Sequence, residues 1–292
     1  MGRGIGEGSG AVRILSYSFE TVTRMSEPVS MHDFVLRCSP LSSATQTVLD
    51  AQTVLAPECT LARQRDGFGN LLQVGRIVEP HDSFSFLSSG LVMVDQAHER
   101  TCPADPVYRM PSRLAAASEG MRAFAVSVPA STGTATDAAA GGGRPVLDRA
   151  VALSHAVFAR MSYEPGATSV STTAAQAFER GAGVCQDYAH ILIALLRAEG
   201  MPARYVNGFM EGEGATHAWV EVHDGERWHG VDVTNDRVVD DGYIVLSRGR
   251  DFSDCPIEAG VFRGGAAQEQ EVSVIVTEQG AQGRESERPR LI

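Results

Sequence analysis

Between Val12 and Asp95 apolar residues fall in short alternating runs, at 14–22, 32–38 and 84–94, broken by turn-forming residues. A period of two puts successive side chains on opposite faces of a strand, so this stretch predicts an all-β region. Within it, Asp66-Gly67-Phe68-Gly69-Asn70 is dense in residues that tolerate positive φ. It reads as a hairpin loop rather than a phosphate-binding glycine loop, because no helical period follows to receive a phosphate. The period changes beyond residue 145. Val146, Ala150, Leu153, Val157 and Phe158 recur at helical spacing, and Thr172 or Thr173 offers an N-cap for a short helix over 174–180 that Gly181-Ala182-Gly183 ends. Cys185 then opens a stronger helix with the stripe Tyr188, Ile191, Leu192, Leu195 and Leu196, closed by Gly200 and Pro202. Strand-like runs follow at 203–210, 217–223, 227–232, 243–246 and 271–277. Helices followed by a run of strands indicate an α+β fold.

A chain of 292 residues suits two units, each with its own core. The small, polar stretch between Pro129 and Pro145 has nothing to bury and reads as a mobile linker. The expected division is a tail at 1–10, a β domain at 11–100, a connecting segment at 101–144, a helix-and-strand unit at 145–280 and a tail at 281–292. A hydrophobic share of 43% and a charged share of 21% are those of a folded globular chain. No apolar run approaches the roughly 18 residues of a membrane span, so no membrane partner is expected. The first ten residues lack an apolar signal core, which points to a cytoplasmic location. A net charge of -11, with no basic stripe interleaved with aromatics, argues against nucleic acid as a partner. The five cysteines are dispersed and contain no CxxC pair, which excludes a disulfide framework and structural zinc from the expectation. The histidines show no metal-ligand spacing, and neither metal nor cofactor is expected.

Candidate chemistry begins at Cys185. A cysteine in the first turn of a helix meets the positive end of the helix dipole and unpaired N–H groups, both of which favour thiolate. A packing cysteine could occupy the same place, and position alone does not separate the two. The strand pair downstream adds information. With Asp224-Gly225 as the two central residues of a type I′ turn, His223 pairs with Glu226 and His217 lies directly opposite Asp232. Ala218, Val220, Val222 and Val231 then share the other face and can supply a core. His155, His190, His223 and His229 read as solvated or structural. Trp219 and Trp228 fall on the face of His217, as groove walls or as core.

The blocks Gly183-Val184-Cys185-Gln186-Asp187-Tyr188-Ala189-His190, Gly200-Met201-Pro202-Ala203-Arg204-Tyr205-Val206, His217-Ala218-Trp219-Val220-Glu221-Val222 and Asp232-Val233-Thr234-Asn235 together resemble the bacterial transglutaminase-like superfamily. The likeness extends to Gly249-Arg250-Asp251-Phe252-Ser253-Asp254, and more weakly to the N-terminal β region. Val233 departs from the proline common in its block. The resemblance implies a papain-like transglutaminase core, a cysteine-bearing helix on an antiparallel sheet, preceded by an all-β domain. It also implies Cys185 as nucleophile, His217 as base and Asp232 as orienting acid. Such groups permit acyl transfer through a thioester. The leading expectation is hydrolysis of peptide or isopeptide amides in a peptide or protein substrate. Amine acyl transfer and a non-catalytic binding module are the alternatives. The Cys185 N–H offers one oxyanion donor. Glu179 stands six positions before Cys185, where papain-like proteases carry a glutamine, and Gln176 or Tyr163 is the candidate for the second donor.

Overall fold

A computed structural model describes residues 12–96, 101–129 and 144–280. The linker expected between Pro129 and Pro145 and both expected tails lie essentially outside these residues. Strand β1 (Arg13–Leu36) runs unbroken for 24 residues, joining two runs that the sequence separates. Its buried positions are odd from Leu15 to Met25 and even from His32 to Leu36. The switch occurs where the register with its neighbour shifts between Arg24 and Val29, and Met31 adopts φ 52°. An irregularity of this kind bends the strand and re-aims its side chains.

The chain continues through β2 (Gln46–Ala56), β3 (Ala62–Arg65), β4 (Leu71–Ile77), β5 (His81–Val94), α1 (Glu119–Ser127), α2 (Arg144–Arg160), β6 (Ser162–Tyr163), α3 (Ala174–Arg180) and β7 (Ala182–Gly183). There follow α4 (Cys185–Ala198), β8 (Ala203–Met210), β9 (Gly212–Gly214), β10 (His217–His223), β11 (Trp228–Asp232), β12 (Arg237–Val238), β13 (Tyr243–Gly249), β14 (Glu258–Arg263) and β15 (Gln268–Glu278). The Asp66–Asn70 segment is the β3–β4 hairpin loop the sequence suggests. Asp66 Oδ1 accepts from the N–H groups of Phe68 and Asn70 (both 2.9 Å), and Gly69 takes φ 83°.

Two curved antiparallel sheets result. In the first, β1 lies between β5 and β15 along its first half and between β4 and β14 along its second. Strands β14 and β15, which the sequence places with the helix-and-strand unit, therefore belong to the N-terminal sheet. Side-chain alternation reports a strand but not its partner, and this pairing is remote: Leu15 sits beside Glu278. The second sheet has the order β12-β11-β10-β8-β13. Phe209, Ile244 and Leu246 of this sheet share one core with Tyr17, Phe19 and Val276 of the first, and Phe19 meets the Phe209 ring edge-on at 5.2 Å. The expected separate N-terminal core is thus a shared one.

The opposite face of the second sheet, Ala203, Tyr205, Ala218, Val220, Val222 and Val231, packs with α4. The sequence shows one apolar stripe on α4, yet every residue from Gln186 to Arg197 is buried. The sheet covers one side, and α1, α2 and α3 cover the others. Ile191, Leu192, Ile193, Leu195 and Leu196 are fully enclosed, each contributing about 2 kcal/mol. Burial, not helix propensity, fixes the axis along which Cys185 is presented.

Candidate active site

Cys185 is the first residue of α4 and partly accessible. The turn before it is held by Asp187, whose Oδ2 accepts from the Val184 N–H (2.8 Å) and the Thr168 hydroxyl (2.6 Å). Gly183 makes this possible, since a Cβ there would lie 2.5 Å from Asp187 Oδ2. The thiol is thereby fixed at the dipole's positive end.

His217 opens β10 and Asp232 closes β11. They do not stand directly opposite, as the type I′ reading requires. Observed pairs are Val220 with Val231 and His223 with Trp228, and the Asp224 N–H donates to the Arg227 carbonyl (3.1 Å). The turn is therefore centred on Gly225-Glu226, with Gly225 at φ 109°, the arrangement that favours glycine at the first central position. Asp224 Oδ1 takes the N–H groups of Glu226 (2.8 Å) and Arg227 (2.9 Å), which pulls the turn one residue onward. Moving the centre by one residue moves each partner by two, so every side chain keeps its face. Asp232 then aligns with Trp219 and lies diagonal to His217, within reach of a long side chain.

The His217 Nε2–H donates to Asp232 Oδ2 at 2.7 Å. Asp232 is fully buried and acts only as acceptor: Oδ2 also takes the Tyr243 hydroxyl (2.7 Å) and Asn235 Nδ2 (2.7 Å), while Oδ1 takes the N–H groups of Thr234 (3.1 Å) and Asn235 (3.2 Å). Burial alone would raise its pKa, but His217 and these donors hold it below the usual carboxylate range. Burial likewise tends to lower the pKa of His217. The Asp232 carboxylate and the nearby Cys185 sulfur more than reverse this and raise it to about 10. Thiol, imidazole and carboxylate are thus brought together. With Nε2 committed to Asp232, Nδ1 is the ring nitrogen left for the sulfur.

Sequence reasoning missed Tyr243 and Arg237. Tyr243 comes from β13 and reaches Asp232 across the sheet, and Arg237 Nε donates to its hydroxyl at 2.8 Å. Nothing in their local spacing signals this. Of the candidate oxyanion donors, Gln176 is committed to capping α3, its Oε1 accepting from the Thr173 N–H (2.9 Å). Tyr163 is half-exposed on β6. Tyr205 is a further candidate donor for which the local sequence carries no signal. It is 2% exposed, lines the same cleft as Cys185 and His217, and makes no hydrogen bond through its hydroxyl among the described residues.

The other histidines that the sequence singles out have structural partners. His190 is fully buried and its Nε2 accepts from the Phe252 N–H (3.1 Å). His223 bonds the Cys102 carbonyl, and His155 and His229 bond Asp236 and Asp224. Trp219 and Trp228 are core, 1% and 4% exposed. All five cysteines are free thiols, and burial pushes the Cys38 thiol up to about 11. The cleft over Cys185 encloses about 490 Å³.

A cysteine-initiated helix on an antiparallel sheet, with an imidazole–carboxylate pair at the sheet's end, defines a papain-like α+β protein. The transglutaminase-like superfamily model matches residues 133–233, and that of the bacterial transglutaminase-like N-terminal region matches residues 15–93. An uncharacterized protein of Mycobacterium tuberculosis is 31% identical over 221 residues, 68% of this chain and 70% of that protein. One of Mycobacterium leprae is 29% identical over 258 residues, 82% and 90% of the two chains. A solved structure from Cytophaga hutchinsonii, described provisionally as a cysteine protease, has a TM-score of 0.73 over 92% of this chain and 91% of that one at 22% identity. That likeness concerns the fold. The chain belongs to the transglutaminase-like superfamily and carries its bacterial N-terminal region.

Proposed function

We propose that this protein is a cysteine-dependent acyl-transfer enzyme that hydrolyses peptide or isopeptide amides. The observation that carries the reading is the His217–Asp232 pair, which shares one cleft with Cys185 at the start of α4. The Cys185 thiolate attacks the substrate carbonyl to give a tetrahedral oxyanion. The His217 imidazolium gives its proton to the leaving amine, the C–N bond breaks and a thioester remains. His217, now neutral, takes a proton from water as that water attacks the thioester, and the acid and thiolate are released. Asp232 keeps Nε2 protonated and stabilises the imidazolium without itself accepting the proton. The Cys185 N–H is one oxyanion donor, and the unpartnered Tyr205 hydroxyl is our candidate for the second. Nothing in this sequence of steps requires a metal or cofactor.

The test is turnover of amide substrates with and without a primary amine, in wild type and Cys185→Ala. Hydrolysis that disappears in the variant while the fold persists is the expected result. Transfer to the amine outpacing hydrolysis would replace hydrolase by acyltransferase, and undiminished turnover in Cys185→Ala would refute the mechanism.

A further inference from the structure

The cleft over Cys185 is floored by the first sheet. Thr21 pairs with Val272, Thr23 with Gln270 and Leu36 with Glu258, so these side chains project from one inner face of the bent β1–β14–β15 surface. Thr21, Glu258, Gln270 and Val272 line the cleft together with Cys185 and His217. Glu258 is half-buried there. Its Oε2 accepts from Gln270 Nε2 (3.0 Å), and the same amide nitrogen lies 3.2 Å from Thr23 Oγ1, which fixes the amide and hence the carboxyl. Among the described residues, no guanidinium lines the cleft. Its other imidazole, His32, is held below its ordinary range by burial and by His81, and the charge on His217 is matched by Asp232. Burial pushes the Glu258 carboxyl up, and the Gln270 hydrogen bond works against it. A half-buried carboxylate without a counter-cation is a costly group to keep, and a cation arriving with a ligand would balance it.

A second observation concerns the kind of cation. The chain contains no lysine, and all 25 of its Lys and Arg residues are arginine. Its own surface therefore offers abundant guanidinium groups but no ε-ammonium to compete for such a site. We propose that Glu258 is a specificity-determining residue that binds the alkylammonium of a lysine side chain on the acyl-donor substrate. This rests on the acyl-transfer reading given above. The ammonium serves recognition and not attack, because a carboxylate stabilises its protonated form, which has no lone pair to offer a thioester.

The test compares rates of Cys185 alkylation by chloroacetyl-lysine amide, chloroacetyl-norleucine amide and chloroacetyl-arginine amide, read by mass spectrometry at sub-saturating concentration. In wild type the lysine probe should exceed the norleucine probe by about tenfold, the scale of one partly desolvated charge pair, and the gap should shrink with added salt. Glu258→Gln should bring the ratio close to one, and Glu258→Asp should restore part of it. Equal rates in wild type, or a ratio unchanged in Glu258→Gln, would overturn the assignment. So would an arginine probe faster than the lysine probe. Should Glu258→Gln fail to fold, the wild-type ratio and its salt dependence still decide. Rapid iodoacetamide labelling of Cys185 with no preference among the three probes would sink the Glu258 assignment alone. Labelling of Cys185 no faster than that of Cys59 and Cys102 by any reagent would sink the acyl-transfer reading with it.

Discussion

Asp232 has five donors aimed at two oxygens, and this inventory decides what its substitution does. Shape alone suggests that Asp232→Asn would be nearly silent structurally. The amide N–H₂, however, must face either the side-chain donors at Oδ2 or the backbone donors at Oδ1, and either choice sets donor against donor. We expect a loss of about 1–3 kcal/mol in stability, together with a rate loss on the order of 10⁴-fold. Denaturant unfolding and kcat measured on the same preparation check both, and a rate loss under about tenfold would remove Asp232 from the mechanism. Tyr205→Phe deletes one hydroxyl at little cost in volume. If that hydroxyl meets the oxyanion, kcat should fall by about 10²–10³ with KM little changed; an unaltered kcat would leave the second donor elsewhere. The grouping of Cys185, His217 and Asp232 was legible because one opens a helix and the other two end paired strands, within blocks that resemble a known family. Tyr243 and Arg237 were not, since their roles arise from reach across a sheet and leave no mark on spacing.

At the scale of the element, the β10–β11 hairpin shows how a wrong turn can still yield the right neighbours. Asp-Gly is a good type I′ pair, but here Asp224 uses its carboxylate to bind the N–H groups of Glu226 and Arg227, and the turn moves on by one residue. The two-residue slip in register preserved every face, so the site survived the error. Gly225 is now the residue that needs φ 109°. Gly225→Ala should cost about 1–2 kcal/mol in thermal or denaturant unfolding, with the His217–Asp232 contact and turnover retained. A rise in stability would mean that the turn is not the one described. The all-round burial of α4 was likewise hidden in its sequence, because alanines and His190 read as a weak polar face until three helices close over them.

For the whole molecule, one buried and one partly buried charge set opposite pH limits. Burial tends to raise the Glu221 pKa, but Arg204 and Arg248 hold it at about 2. Its contribution to stability is thus present above its ordinary value of 4.5 and lost as pH falls towards 2. His217 works the other way. With its pKa raised to about 10, its contribution is complete below 6.5 and lost as pH rises through 10, at up to about 1.4 kcal/mol per pH unit. Unfolding free energy should therefore decline on both sides, and His217→Ala should remove that residue's share of the alkaline decline; an identical alkaline limb in the variant would contradict the pairing. The strand content of both halves was legible, but the return of β14 and β15 to β1 was not, for a pairing between Leu15 and Glu278 has no local signature. That return has a consequence for the order of assembly. A chain made from its N-terminus can close α4 over β8, β10 and β11 while residues 258–278 are still to come. A nascent chain would then hold sulfur, imidazole and carboxylate in register before the floor bearing Glu258 exists, so its discrimination among acyl donors would mature last, with the strands that seal the first sheet.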